Sequence, residues 1–199
     1  MKMPVDYIDT AGNHQNLNYH LSRLAFTKHL SIAGQGYSPR MRKVLRTLGM
    51  FFHYSYYLQR QSFYNNHFST PPNLLSDPTE KGQFSNLAGK AIADFLSKRI
   101  GKSFLTVNYE AAMRALNKSI IGKRPDLIAF SNTSVFAIEA KGYTGGPGNM
   151  MTHKSQSKAN PLGVNLNYTV ACVSFNLYNS IQCNYHALIM KMFFMTMNY

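Results

Sequence analysis

Asp126, Glu139 and Lys141 are the strongest chemical combination that this sequence can bring to one place. The runs 127–130 and 135–138 are short, apolar and rich in β-branched or aromatic residues, and the polar stretch 131–134 joins them. That pattern predicts a β-hairpin. Asp126 enters its first strand and Glu139 leaves its second, so antiparallel pairing sets the two carboxylates side by side. Side chains alternate along a strand, which turns Glu139 and Lys141 to one face and Ala140 to the other.

Two adjacent carboxylates are costly unless a cation neutralises them. Hard oxygen ligands in so small a number suit Mg²⁺, which keeps several waters and completes its shell from a phosphate. Lys141 would then steady an attacking water or the charge growing on phosphorus.

From Pro125-Asp126, through twelve residues, to Glu139-Ala140-Lys141, the chain resembles the PD-(D/E)XK nuclease superfamily, which has the restriction-endonuclease-like fold. The resemblance implies that Asp126, Glu139 and the main-chain carbonyl of Ala140 bind Mg²⁺, with Mn²⁺ as a substitute. It implies that Lys141 is the catalytic lysine. Gln156 resembles the polar residue that many members carry on the following helix, which implies a place for it in the catalytic site. Many members also draw a glutamate from the helix before the first strand. Here that helix offers Gln83 and Asn86 near its start, and Glu80 and Asp94 are the nearest acids.

The implied activity is metal-dependent hydrolysis of DNA phosphodiesters. Two alternatives stand beside it. The missing helix acid suggests a nucleic-acid-binding module of the same fold without catalysis. A basic structural or interaction protein, in which Asp126, Glu139 and Lys141 merely pair, would come from another class altogether.

Charge favours the first two. Twenty-one Lys and Arg against eight Asp and Glu give a formal net charge of +13, which draws in a polyanion. With acids so scarce, two of them beside a lysine in one hairpin is not ordinary surface decoration. DNA is the expected partner ahead of RNA, a homodimer is compatible with the sequence, and no membrane partner is expected. The N-terminus has no signal-peptide core, and no run approaches the ~20 apolar residues of a membrane span, so a cytoplasmic location is expected. Cys172 and Cys183 lack metal-ligand spacing and read as ordinary thiols in a reducing compartment.

The elements that must position the site follow from periodicity. Residues 1–75 read as a basic, aromatic-rich helical extension. Leu17, Leu21, Leu24 and Ala25 recur at helical spacing, and a second helical run starts beyond Ser38-Pro39 with Arg40, Arg42, Lys43 and Arg46. Aromatics in 51–57 could stack on bases, although a tyrosine-rich helix more commonly packs a core. Turn formers at 69–73 and 76–79 set a boundary, and 76–187 reads as the nuclease-like domain.

Within that domain a helix runs from Gln83 to Ile100 with Gly101 as its cap, followed by a strand over 104–109 and a connection over 110–124 with room for a short helix or a turn. The hairpin comes next, then a glycine-rich loop containing Gly142, Gly145, Gly146 and Gly148. A helix over about 149–159 carries His153, Lys154, Gln156 and Lys158, and 168–175 is a buried strand. The expected class is therefore α/β, a mixed sheet built in the order helix, strand, strand, strand, helix, strand. This is the core order of the resembled family, and the likeness spans roughly residues 80–185. Residues 188–199 read as an apolar tail, either a packed helix or a truncated ending.

Overall fold

A computed structural model describes residues 1–70 and 78–190. Among these residues seven strands form one mixed sheet in the order β2-β1-β7-β6-β5-β4-β3, and six helices accompany it. The strands are β1 (Lys2–Ile8), β2 (His14–His20), β3 (Leu105–Asn108), β4 (Leu127–Phe130), β5 (Val135–Gly142), β6 (Tyr168–Phe175) and β7 (Gln182–Ile189). The helices are α1 (Arg23–Ile32), α2 (Arg40–His53), α3 (Arg60–Tyr64), α4 (Pro78–Arg99), α5 (Tyr109–Ala115) and α6 (Met150–Ser157). Two neighbouring pairs, β1 with β7 and β5 with β6, are parallel, and the rest are antiparallel.

The sheet separates two apolar layers because alternate residues of each strand face opposite ways. On one face Leu127, Phe136, Ile138, Val170 and Tyr185 pack with Phe84, Ala88, Ile92 and Phe95 of α4. Ile128 and Ala137 face the other way and pack with Tyr109 and Met113 of α5 and with Leu162 and Leu166. Side-chain caps define where three helices begin: Ser22 accepts from the Ala25 amide, Asn108 from Ala111, and Asn149 from Met151 and Thr152.

The order α4, β3, β4, β5, α6, β6 matches the expected one, and of the short helix or turn expected in the connection the helix is present as α5. Residues 1–70 follow expectation only in part: the helical run beyond Ser38-Pro39 is α2, with α1 before it and α3 after it. These residues open with a hairpin, and β1 joins the same sheet through β7, with Val5 opposite Cys183. Leu17 lies in β2 while Leu24 and Ala25 lie in α1, so the helical spacing spanned a strand, a turn and a helix. The overlooked signal was period two: Met3 and Val5 are buried and Lys2 and Pro4 exposed.

Tyr57 and Phe68 are buried against Phe84, with the Tyr57 and Phe84 rings stacked at 4.2 Å. Within the aromatic run at 51–57, Tyr54 and Tyr57 are buried in the core, whereas Phe52 and Tyr56 are exposed. The turn formers at 71–77 lie outside the described residues. So does the tail from 191, while Leu188 and Ile189 belong to β7 instead of a helix. No helix among the described residues is long and apolar enough to cross a membrane.

Two glycines act differently from expectation. The left-handed residue beyond α4 is Lys102 (φ 53°), whereas a Cβ on Gly101 would meet the Phe136 ring at 2.5 Å. Gly101 therefore serves close packing. Gly142 ends β5, where a Cβ would stand 2.0 Å from the Ser85 carbonyl oxygen, so it sets the crossing of α4 over the sheet and does not belong to the loop.

Candidate functional site

The site lies where β4 stops and β5 continues. The β4–β5 ladder reaches only Leu127 opposite Ile138, which leaves β5 from Glu139 to Gly142 without β4 on that side. Asp126 closes part of the gap. Its amide donates to the Ile138 carbonyl (2.9 Å), its carbonyl accepts from the Tyr109 amide (2.9 Å), and its Oδ2 accepts from the Ala140 amide (3.1 Å). The N–H and C=O of one strand residue project the same way, so the Ala140 carbonyl also faces the open side.

Glu139 and Lys141 share the face opposite to Ala140, as alternation requires. Lys141 Nζ stands 2.6 Å from Glu139 Oε1 and 3.4 Å from Asp126 Oδ2, so one ammonium touches both carboxylates. Glu139 is fully buried. The ammonium approaches it outside hydrogen-bonding angles, and neither Glu139 oxygen has a hydrogen-bond partner among the described residues.

Burial first, and then the charge of Asp126, push the Glu139 carboxyl up to about 8, with Lys141 pulling the other way. Burial alone would lower Lys141. The charge of Asp126 and the contacts with Glu139 outweigh it, and the ammonium is held above its ordinary value.

A second cation completes the cluster. Lys90 of α4 places Nζ 3.1 Å from Asp126 Oδ1. Sequence reasoning missed this residue, although it is the only charged side chain between Lys81 and Asp94. What brings it in is the helix–strand crossing, since a Cβ on Gly89 would lie 2.5 Å from the Gly142 amide nitrogen.

A cleft of about 480 Å³ opens beside Asp126, lined by Lys90, Asn108, Glu110, Lys123, Arg124 and Gln156 among others. Arg124 pairs with Glu110 at 2.7 Å. The side-chain amide of Gln156 donates to the Arg124 carbonyl (3.0 Å), which ties α6 to the segment leading into Asp126. His153 also lies on α6, buried, with Nε2 3.2 Å from the Tyr143 hydroxyl. Burial, and then the charge of Lys141, lower its pKa.

Neither acid considered as a substitute for the helix glutamate reaches this site. Asp94 is fully buried elsewhere, where its Oδ2 contacts His29 Nδ1 at 2.7 Å and Lys98 Nζ at 2.5 Å and its Oδ1 accepts from Thr106. It clamps α1, α4 and β3 together. Glu80 lies exposed in the first turn of α4 and has no place among the cleft-lining residues.

Among the described residues no group of three or more His, Cys, Asp and Glu could hold a metal. The donor set is instead two carboxylates and a strand-edge carbonyl. That is sparse for Zn²⁺ but fits Mg²⁺, whose shell is mostly water and substrate oxygen. Lys141 is the one cation in contact with Glu139 among the described residues, and the lack of hydrogen bonds to either buried oxygen is the observation that favours a further cation there, because a buried carboxylate short of hydrogen bonds is costly. Comparison of the chain with protein-family models, with curated proteins and with solved structures gave no match in any of the three.

Proposed function

We propose that the chain is a metal-dependent nuclease that hydrolyses DNA phosphodiesters, built on a restriction-endonuclease-like core. The observation that carries this reading is the meeting of Lys141 with both Asp126, which lines a basic cleft, and Glu139, which is buried and makes no hydrogen bond among the described residues. Supporting it are the order α4, β3, β4, β5, α6, β6 and the spacing from Pro-Asp, just before β4, to Glu-Ala-Lys on β5.

In this reading Asp126, Glu139 and the Ala140 carbonyl would hold Mg²⁺, which when bound would supply Lewis-acid chemistry toward a phosphoryl oxygen and a water. Lys123 and Arg124 bind the phosphate backbone along the cleft. Lys141, fixed as a cation between the two carboxylates, directs positive charge toward the oxygens that gain negative charge in the transition state. Gln156 holds the Arg124 backbone, and through it the approach to Asp126, in register with α6.

The second reading, a nucleic-acid-binding module without catalysis, is favoured by one observation: α4 presents Lys90, not an acid, to Asp126. Purified chain and its Lys141→Ala variant, assayed on plasmid and single-stranded DNA with Mg²⁺, Mn²⁺ and EDTA, decide between the two. The nuclease reading expects metal-dependent cutting by the wild type and a loss of roughly a hundredfold or more in the variant, with DNA binding retained. DNA binding by both without cutting by either selects the module. Equal cutting by both assigns the activity to another site.

A further inference from the structure

We propose that Lys90 is a positioning residue that competes with the divalent cation for Asp126 and exchanges Asp126 for phosphate when substrate arrives. The inference rests on the reading of the site as a metal centre.

Both oxygens of Asp126 are already engaged. Oδ1 faces Lys90 at 3.1 Å, and Oδ2 faces the Ala140 amide at 3.1 Å and Lys141 at 3.4 Å. A divalent ion approaching Asp126 must share an oxygen with an ammonium or displace one. Lys141 is the harder to move, because it also contacts Glu139 at 2.6 Å. Lys90 has the Asp126 carboxylate as its one ion-pair partner among the described residues, and its side chain is 31% exposed on the cleft wall. Of the two, Lys90 is the cation that yields.

Its displaced position is defined by its surroundings. Lys90 lines the same cleft as Lys123 and Arg124, so an ammonium released from Asp126 stands where a phosphate would bind. Phosphate draws Lys90 from Asp126, Asp126 becomes available to the metal, and by linkage the metal favours phosphate in return. The site thus holds its two carboxylates in check with two lysines until substrate supplies the exchange. This device is built into the backbone, since Gly89 and Gly142 set the crossing that delivers Lys90 to Asp126.

The test uses the full chain, its Lys90→Met and Lys90→Gln variants and the charge-preserving Lys90→Arg variant. Mn²⁺ alone is titrated and read by the loss of its free-ion paramagnetic signal. Binding of a short DNA duplex in EDTA is measured in parallel, and circular dichroism checks the fold. Removing the competing ammonium should tighten Mn²⁺ binding by about tenfold in both neutral variants and weaken metal-free DNA binding, while Lys90→Arg restores both toward wild type. A lysine with only a structural role would loosen Mn²⁺ binding or leave it unchanged. Unchanged or weaker Mn²⁺ affinity in the neutral variants, with wild type binding Mn²⁺ normally, overturns the competition and leaves the nuclease reading standing. If no protein in the series binds Mn²⁺, both fall together.

Discussion

Gly142, the last residue of β5, lies so close to Ser85 of α4 that a Cβ there would stand 2.0 Å from the Ser85 carbonyl oxygen. The obstacle is backbone, so no rotamer change can relieve it. Helix and strand would have to separate at the point that aligns Lys90 with Asp126. Gly142→Ala should therefore destabilise the chain by about 1–3 kcal/mol, the usual cost of overpacking. Denaturant unfolding should show a lower midpoint, and an unchanged midpoint would mean that α4 is not held at this distance.

Asp94 should govern acid stability. Burial raises its pKa, but the contacts with His29, Lys98 and Thr106 outweigh burial, and the folded value lies below the ordinary one. A depressed carboxyl contributes stability that is present above its unfolded pKa and disappears as pH falls through the folded value. Asp94→Asn should cost about 3–5 kcal/mol at neutral pH, because Lys98 and His29 lose a buried carboxylate. The difference between variant and wild type should shrink toward nothing as pH drops below the folded pKa. Thermal unfolding at several pH values checks this, and a constant difference would remove Asp94 as the source.

DNA binding should weaken steeply with salt if the cleft holds phosphates. Each phosphate freed from its lysine or arginine should reduce the slope of log affinity against log salt by about 0.9 on duplex DNA. Lys123→Ala should show that reduction with little change in the melting temperature. An unchanged slope would place the nucleic acid somewhere other than this cleft.

The hairpin of β4 and β5, the strand β6 and the helix α6 were legible because each declares itself within a few residues. Short apolar runs rich in β-branched and aromatic residues, and a polar turn between two of them, are local signals. The partnership of β1 with β7 was not, since it joins residues such as Asp6 and His186, 180 positions apart. Lys90 was hidden for a related reason. Nothing in its own neighbourhood points toward Asp126, and its role appears only once Gly89 meets Gly142 across the sheet. Asp94 misled in the opposite sense: its place on the right helix suggested the site, whereas its side chain is spent on His29 and Lys98.

Glu139 should trade stability for its place in the site. With its carboxyl raised to about 8 in the folded chain, it is neutral in both folded and unfolded states in strong acid. As pH climbs past the ordinary carboxyl value, the unfolded chain loses its proton first, and folding must hold the proton or bury a charge. Stability attached to Glu139 is thus complete below its unfolded pKa and lost as pH rises through about 8. Glu139→Gln stays neutral throughout. In EDTA its advantage over wild type should be negligible near pH 4 and grow to about 1–3 kcal/mol by about pH 8.5, the cost of a buried polar group left unsatisfied. Added Mn²⁺ should reverse the ranking, because only the wild type keeps both carboxylates, and a ligand at a thousand times its Kd adds about 4.1 kcal/mol. A variant no more stable than wild type at alkaline pH would mean that Lys141 fully compensates the buried charge. A variant that gains as much from Mn²⁺ as wild type would remove Glu139 from the metal site.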